Sequence, residues 1–101
     1  MTYQTHNDIR INTNMSSGRG SIDTDYFTLV GLFGRPEHIS NDPADKVRVE
    51  WSVKFDDGTV ATIYDWKDPT PIHEVRDWHV GGFSPMALTH IASVVTLKEN
   101  V

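Results

Sequence analysis

The most regular pattern in the chain is a strict alternation of apolar and polar residues over 47–56. The apolar positions are Val47, Val49, Trp51, Val53 and Phe55. This alternation is typical of a β-strand with one buried face, because successive side chains of a strand point to opposite faces of the sheet. Asp57-Gly58 then predicts a two-residue type I′ turn. The sequence therefore predicts a central β-hairpin of strands 47–56 and 59–66.

Two segments show the three- and four-residue apolar spacing of amphipathic helices. The first covers about 24–33 and is followed by Gly34 and Pro36, a common stop signal for a helix. The second covers about 85–97 and follows Ser84, which is a favourable residue at a helix start. Both are expected to pack on one face of the sheet.

A third short strand is predicted near 75–80, between the hairpin and the second helix. The order of elements indicates an α+β fold with an antiparallel sheet, formed as a single domain over 1–101. Residues 1–8 are expected to be flexible, and the "SSGRG" run at 16–20 is interpreted as a flexible turn.

The predicted hairpin register has a chemical consequence on the polar face. A two-residue turn pairs residue 56 with 59, and this places Glu50 directly opposite Asp65. Opposed carboxylates destabilise a sheet unless a cation lies between them, and Lys67, Arg48 and Arg76 are the candidate cations. The cluster is either a salt-bridge network on a solvated face or a polar binding site. A one-residue bulge in the turn would remove the pairing.

An Asp-Trp-basic triplet occurs twice, as Asp65-Trp66-Lys67 and as Asp77-Trp78-His79. Tryptophan beside both charge signs is typical of the edge of a small core or the floor of a binding site. We predict that one triplet lines each side of a shared cleft. The full predicted ligand- or partner-binding set is Glu50, Asp65, Trp66, Lys67, Arg76, Trp78, His79, Gly81 and Gly82.

Gly81-Gly82 precede the second helix. Two glycines there allow close backbone approach, and the free N–H groups of a helix N-terminus bind anions. The pair is interpreted either as part of a site for a phosphate-bearing ligand or as glycines that only turn the chain.

The composition narrows the classes of function. The formal net charge of −5 argues against a nucleic-acid binder and permits a basic partner. Cysteine is absent, which excludes thiolate metal sites and cysteine nucleophiles. The His73–His79 segment lacks a recognised metal-ligand spacing, so no metal and no cofactor are expected. No nucleophile elbow is present either, so no catalytic residue is assigned.

The apolar runs are short, and the N-terminus lacks a basic segment followed by an apolar one. We therefore expect a soluble cytoplasmic protein that does not contact a membrane.

The runs "DYFTLVGLFGRP", "VEWSVKFDDGTVATIYDWKD" and "WHVGG" together resemble a family of small bacteriophage proteins of unknown function. The resemblance covers about residues 20–83. It implies a context, the cytoplasm of an infected host cell, and no mechanism. Small phage proteins of this kind often bind and disable host factors, including components of host defence.

The sequence leaves three functions open. The first is a non-enzymatic binding protein that captures or blocks a host factor, either a defence protein or a small nucleotide signal. The second is a small hydrolase that uses His79 with Glu50 or Asp65 on a phosphate-bearing substrate. The third is a structural or assembly homodimer joined through the strand at 75–80.

Overall fold

The computed structural model describes residues 2–42 and 44–100. Within these residues, six strands form one antiparallel sheet and two helices pack on one of its faces. The elements in chain order are β1 (Tyr3–Thr5), β2 (Ser17–Asp23), α1 (Tyr26–Phe33), β3 (His38–Ile39), β4 (Val49–Phe55), β5 (Val60–Tyr64), a 3₁₀ turn (Ile72–Glu74), β6 (Asp77–Gly82) and α2 (Met86–Glu99).

The predicted α+β fold is confirmed, with the β4–β5 hairpin inside the sheet. The strand order is β1-β4-β5-β6-β2, and β3 pairs with β4 as well. The third strand begins at Asp77 and ends at Gly82, two residues later than predicted. Within the described part of the chain, no helix is long and apolar enough to cross a membrane.

The hairpin register differs from the prediction by one residue. The loop contains three residues, because the Phe55 N–H donates to the Thr59 carbonyl (2.8 Å) and the Gly58 N–H donates to the Phe55 carbonyl (2.9 Å). Gly58 has a φ of +91°, the left-handed conformation that closes this type of loop. Glu50 therefore pairs with Tyr64, and the predicted Glu50–Asp65 opposition is wrong.

The shift by one residue exchanges the two faces of β5. Side chains alternate along a strand, so Ala61 and Ile63 now join the buried face of β4, while Tyr64 lies on the other face. The core between sheet and helices contains Trp51, Val53 and Phe55 from β4, as the alternation predicts, together with apolar residues of both helices. Those helical residues are Leu29, Phe33, Ala87, Ile91 and Val95.

The interpretation of "SSGRG" as a flexible turn is wrong, because Ser17–Asp23 is the edge strand β2, paired with β6. Its glycines permit close packing. A Cβ on Gly20 would lie 2.7 Å from a methyl group of Leu88 in α2, and the φ of Gly20 is +144°. The strand also contains a bulge between Gly18 and Gly20.

The predicted flexible segment 1–8 begins with Met1, which lies outside the described residues. Within that segment, Tyr3–Thr5 form β1 and pair with β4 at one edge of the sheet. β6 has neighbours on both sides, β5 and β2. Of the strand predicted at 75–80 as the edge of a homodimer, His79 and Val80 pair with both β5 and β2, so this part of β6 is not a free sheet edge.

A side-chain pair connects the hairpin loop to α2. His90 Nε2 lies 2.7 Å from Asp57 Oδ2, and the His90 ring packs edge-on against Phe55. Hydrogen bonds with His90, and then with Thr59, lower the pKa of Asp57 from 3.8 to about 2. His90 thus packs at the rim of the core.

This pair predicts a pH dependence of stability. The folded state favours the Asp57 carboxylate, so Asp57 stabilises the fold above its unfolded pKa, and the contribution is lost as the pH falls toward about 2. The variant Asp57→Asn keeps an acceptor for the Thr59 N–H. We expect denaturant unfolding to show a less stable variant at about pH 6 and a difference that narrows between about pH 4 and about pH 2. A difference that does not change with pH would contradict this role of the carboxylate.

Candidate functional site

The sheet divides the predicted binding residues between its two faces. Asp65, Trp78 and Gly82 lie on the face covered by α1 and α2, whereas Glu50, His79 and Gly81 lie on the opposite face. We call the face opposite the helices the open face. The predicted shared cleft, with one triplet on each side, is therefore not formed.

Trp78 belongs to the core. Its side chain is fully buried, and its ring centroid lies 5.6 Å from that of Trp51 and 6.4 Å from that of Tyr26. The indole N–H donates to the Val75 carbonyl at 3.2 Å, which satisfies its polar atom. Trp78 is placed to stabilise the fold, since no ligand reaches it without opening the core.

Asp65 is fully buried as well, and its partners are internal. Its carboxylate accepts the backbone N–H groups of Arg48 (2.8 Å) and Val49 (3.1 Å), and Arg48 Nε donates to it at 2.7 Å. These contacts join the end of β5 to the start of β4. Asp65 acts as a structural anion, so the proposed acid–base pair of Asp65 with His79 is not assembled.

Two further predicted residues do not line a shared cleft either. Arg76 precedes β6 and bonds to Asp23 at 2.9 Å in an exposed ion pair. Gly82 is packed under α2, where a Cβ would lie 2.4 Å from that of Ala87. Gly81 and Gly82 are part of strand β6, so the predicted anion-binding loop before the helix is not formed.

The open face has a row of side chains that runs across the sheet at one level. Cross-strand pairing places His38, Glu50, Tyr64 and His79 side by side on β3, β4, β5 and β6. The Tyr64 and His79 rings are stacked at 5.8 Å with an angle of 22° between them. Tyr64 therefore separates His79 from Glu50, which leaves two strand spacings, roughly 10 Å, between their backbones.

A shallow depression of about 260 Å³ lies on the open face, and we call it the open-face hollow. Its lining includes Glu50, Thr62, Tyr64, Trp66, Gly81 and Gly18. Three of these, Glu50, Trp66 and Gly81, belong to the predicted set. The structure thus brings together part of the predicted site.

Two paired glycines lie beside Tyr64 on the open face. Gly18 on β2 pairs with Gly81 on β6, and a Cβ at these positions would lie 3.8 Å and 3.6 Å from atoms of Tyr64. A Cβ on Gly81 would also lie 2.7 Å from the Thr62 hydroxyl. A Cβ at either position would touch Tyr64 only at ordinary van der Waals distance, whereas a Cβ on Gly81 would clash with the Thr62 hydroxyl.

Trp66 forms one wall of the hollow. Its side chain is 42% exposed, and its ring is perpendicular to Tyr64, with an angle of 82° and a centroid distance of 6.5 Å. The Lys67 ammonium lies 5.4 Å from the Trp66 ring centroid, a cation–π contact. Lys67 has a φ of +51°. It is not one of the described residues that line the hollow.

Glu50 gives the hollow an acidic group. Partial burial, and then the nearby Glu37 carboxylate, raise the pKa of Glu50, while His38 opposes the shift. Burial and the Glu50 charge raise the pKa of Tyr64 as well. Within the described residues, no hydrogen bond contributes to the Glu50 shift, so its carboxylate is available to a donor from outside the protein.

The raised pKa predicts that Glu50 weakens the fold at neutral pH. The folded state holds the proton more tightly than the unfolded state, so stability is highest at low pH and falls as the pH rises through the folded pKa. We expect Glu50→Gln to increase the free energy of unfolding at about pH 7 and to have little effect at about pH 4. Glu74→Gln, at an exposed carboxylate, controls for the change in net charge. Equal effects of the two substitutions at neutral pH would contradict the prediction.

Sequence reasoning missed Tyr64, Thr62 and Gly18 as site residues. The predicted register placed Tyr64 and Thr62 on the core side, and Gly18 was part of the supposed turn. The correct signal was available in the residues Asp56, Asp57 and Gly58, since a three-residue loop with glycine at its last position is the next most common hairpin connection.

Metal-binding groups are absent from the part of the chain that the structure describes. Within residues 2–42 and 44–100, no group of three or more histidine or acidic residues is placed to hold a metal ion. Among the ion pairs within those residues, one joins a histidine to an acidic residue on the open face. In this pair, His79 Nε2 lies 3.5 Å from Asp77 Oδ2.

Comparison with family models, with curated proteins and with solved structures finds no match to this chain. The resemblance to small bacteriophage proteins stays a prediction.

Proposed function

We propose that the protein is a non-enzymatic binding protein that captures or blocks a basic protein partner through its open face. The observation that carries the proposal is the open-face hollow, in which an available carboxylate, Glu50, lies beside two perpendicular aromatic rings, Tyr64 and Trp66. Exposed aromatic residues are enriched in protein interfaces and often contribute most of the binding energy.

Charge supports a basic partner over a nucleotide-like ligand. The Glu37 carboxylate lies close enough for its charge to act on Glu50, and the chain has a net charge of −5. A phosphate group in the hollow would be repelled by the Glu50 carboxylate, whereas a positively charged protein surface would be attracted and steered toward it.

The resemblance to bacteriophage proteins supplies the proposed biological setting. If the chain is phage-encoded, its partner is a host factor such as a defence protein, and the site of action is the host cytoplasm. Blocking requires no chemistry, which suits an open face with a shallow hollow.

The test is affinity capture followed by reconstitution. Immobilised wild-type protein is exposed to host lysate and to a panel of nucleotides, and each retained molecule is identified, purified and measured again by calorimetry. The expected result is an unaltered protein with a basic surface. Trp66→Ala should weaken its binding at least tenfold, and Phe27→Ala, at an exposed aromatic residue of α1, should not change it.

Four outcomes contradict the proposal. They are retention of an acidic protein, retention or turnover of a nucleotide, equal binding of the reconstituted partner by wild type and Trp66→Ala, and failure to retain any molecule.

A further inference from the structure

We infer that the open-face hollow is a pocket for one arginine side chain of the basic partner. This inference rests on the proposed function and specifies what the partner inserts. It follows from the size of the hollow, the arrangement of its two aromatic rings and the position of its carboxylate.

The volume suits one side chain. About 260 Å³ is smaller than the roughly 300–1,000 Å³ typical of sites for drug-sized ligands. In a hollow that is this small and open to solvent, a whole nucleotide would stay largely exposed, whereas a single long side chain can enter it while the rest of the partner lies across the open face.

The aromatic walls favour a cation. Trp66 and Tyr64 meet at 82°, so a group in the corner between them contacts the face of one ring and the edge of the other. Tryptophan is the side chain that attracts cations most strongly through its ring face. The protein itself shows this property, because the Lys67 ammonium lies 5.4 Å from the Trp66 centroid.

The carboxylate distinguishes arginine from lysine. Glu50 is paired with Tyr64 across β4 and β5, so its carboxylate lies at the same level as the aromatic corner. A guanidinium group is planar, stacks on an aromatic face and donates two parallel hydrogen bonds to a carboxylate at the same time. An ammonium group makes a point contact with either the ring or the carboxylate.

The probe is N-acetyl-arginine-N-methylamide, with the citrulline analogue as the matched control. Citrulline has nearly the same shape and lacks the positive charge. Each compound is titrated into full-length protein, and the Trp66 indole N–H is followed by heteronuclear NMR. We expect a saturable shift with the arginine compound, with at least tenfold weaker binding of the citrulline compound and weaker binding of the lysine analogue.

Substitutions of two glutamates test whether the arginine compound binds in the hollow. Glu50→Gln should weaken arginine binding about tenfold, while Glu74→Gln should leave it unchanged. Since Glu50→Gln is expected to stabilise the fold, lost binding in this variant is not explained by unfolding. Equal binding of arginine and citrulline, equal binding by Glu50→Gln and wild type, or lack of a saturable shift would each overturn the inference.

Failure of this inference is distinguishable from failure of the proposed function. If a basic partner is captured through Trp66 and its binding is unaffected by Glu50→Gln, the arginine pocket is wrong and the binding function stands. If the arginine compound binds and no basic protein is captured, the pocket chemistry stands and the proposed function is wrong.

Discussion

Replacing Trp78 by alanine is expected to lower the free energy of unfolding by about 3–5 kcal/mol, the usual cost of truncating a buried tryptophan. Its ring is fully buried between Trp51 and Tyr26, so the substitution leaves a cavity in the aromatic part of the core. The same substitution at Trp66 should change stability by less than about 1 kcal/mol, because that side chain is partly exposed. Urea unfolding followed by circular dichroism measures both.

The same substitution can thus be compared at two tryptophans of one protein, and partner binding gives a second measurement for each. Trp66→Ala should lose partner binding while it stays folded, and Trp78→Phe, which keeps an aromatic ring, should retain both binding and most of the stability. A smaller loss of stability for Trp78→Ala than for Trp66→Ala would show that the two rings are placed wrongly.

The second large difference in stability is expected between alanine substitutions at the aspartates of the same two triplets. Asp65→Ala is expected to cost about 3–5 kcal/mol, because it removes the partner of the largely buried Arg48 and leaves two backbone N–H groups without an acceptor. Asp77 is exposed, so Asp77→Ala should cost at most about 1 kcal/mol. Denaturant unfolding at neutral pH distinguishes the two.

A further variant separates charge from hydrogen bonding. Asp65→Asn keeps one acceptor oxygen for the Arg48 and Val49 N–H groups and removes the negative charge beside the guanidinium. Its stability should lie between those of wild type and Asp65→Ala. If Asp65→Ala were as mild as Asp77→Ala, the buried ion pair would not hold the start of β4 to the end of β5.

The two triplets look alike in the sequence because each has aspartate, tryptophan and a basic residue in that order, yet their side chains alternate in opposite phase. In the first, Asp65 points into the protein and Trp66 points out. In the second, Trp78 points in and Asp77 points out. Side-chain direction alternates along a strand, so phase decides which residue meets a ligand and which meets the core.

The parts of the fold that depend on periodicity were predictable. The alternation over 47–56 identified the buried face of β4, and the spacing within 24–33 and 85–97 located both helices. The phase of β5 was not predictable from periodicity alone, because its alternation is ambiguous between Ala61-Ile63 and Val60-Thr62-Tyr64. The choice depends on the length of the loop at 56–58, and a change of one residue exchanges the faces.

The sequence could predict only those site residues whose face of the sheet does not depend on the phase of β5. Glu50 was correctly placed on the polar face of β4, whereas Asp65 and Trp78 were assigned to a cleft although they are buried. β2 was missed because its glycines usually indicate a turn. Here Gly20 allows Leu88 of α2 to approach the strand closely, a contact between elements far apart in the sequence.

The strand order also has a consequence for how the chain folds during synthesis. β1 and β2 both come from the first quarter of the chain, yet they pair with β4 and β6 on opposite sides of the hairpin. At roughly 5–20 residues per second, the ribosome has released β2 for several seconds before β6 is complete. The N-terminal segment therefore stays unpaired during this time. The sheet is completed late, through contacts between residues far apart in the sequence, and such contacts favour slow folding. Until then β4 and β6 expose unpaired edges, which makes the nascent chain, rather than the finished protein, the species most prone to aggregate.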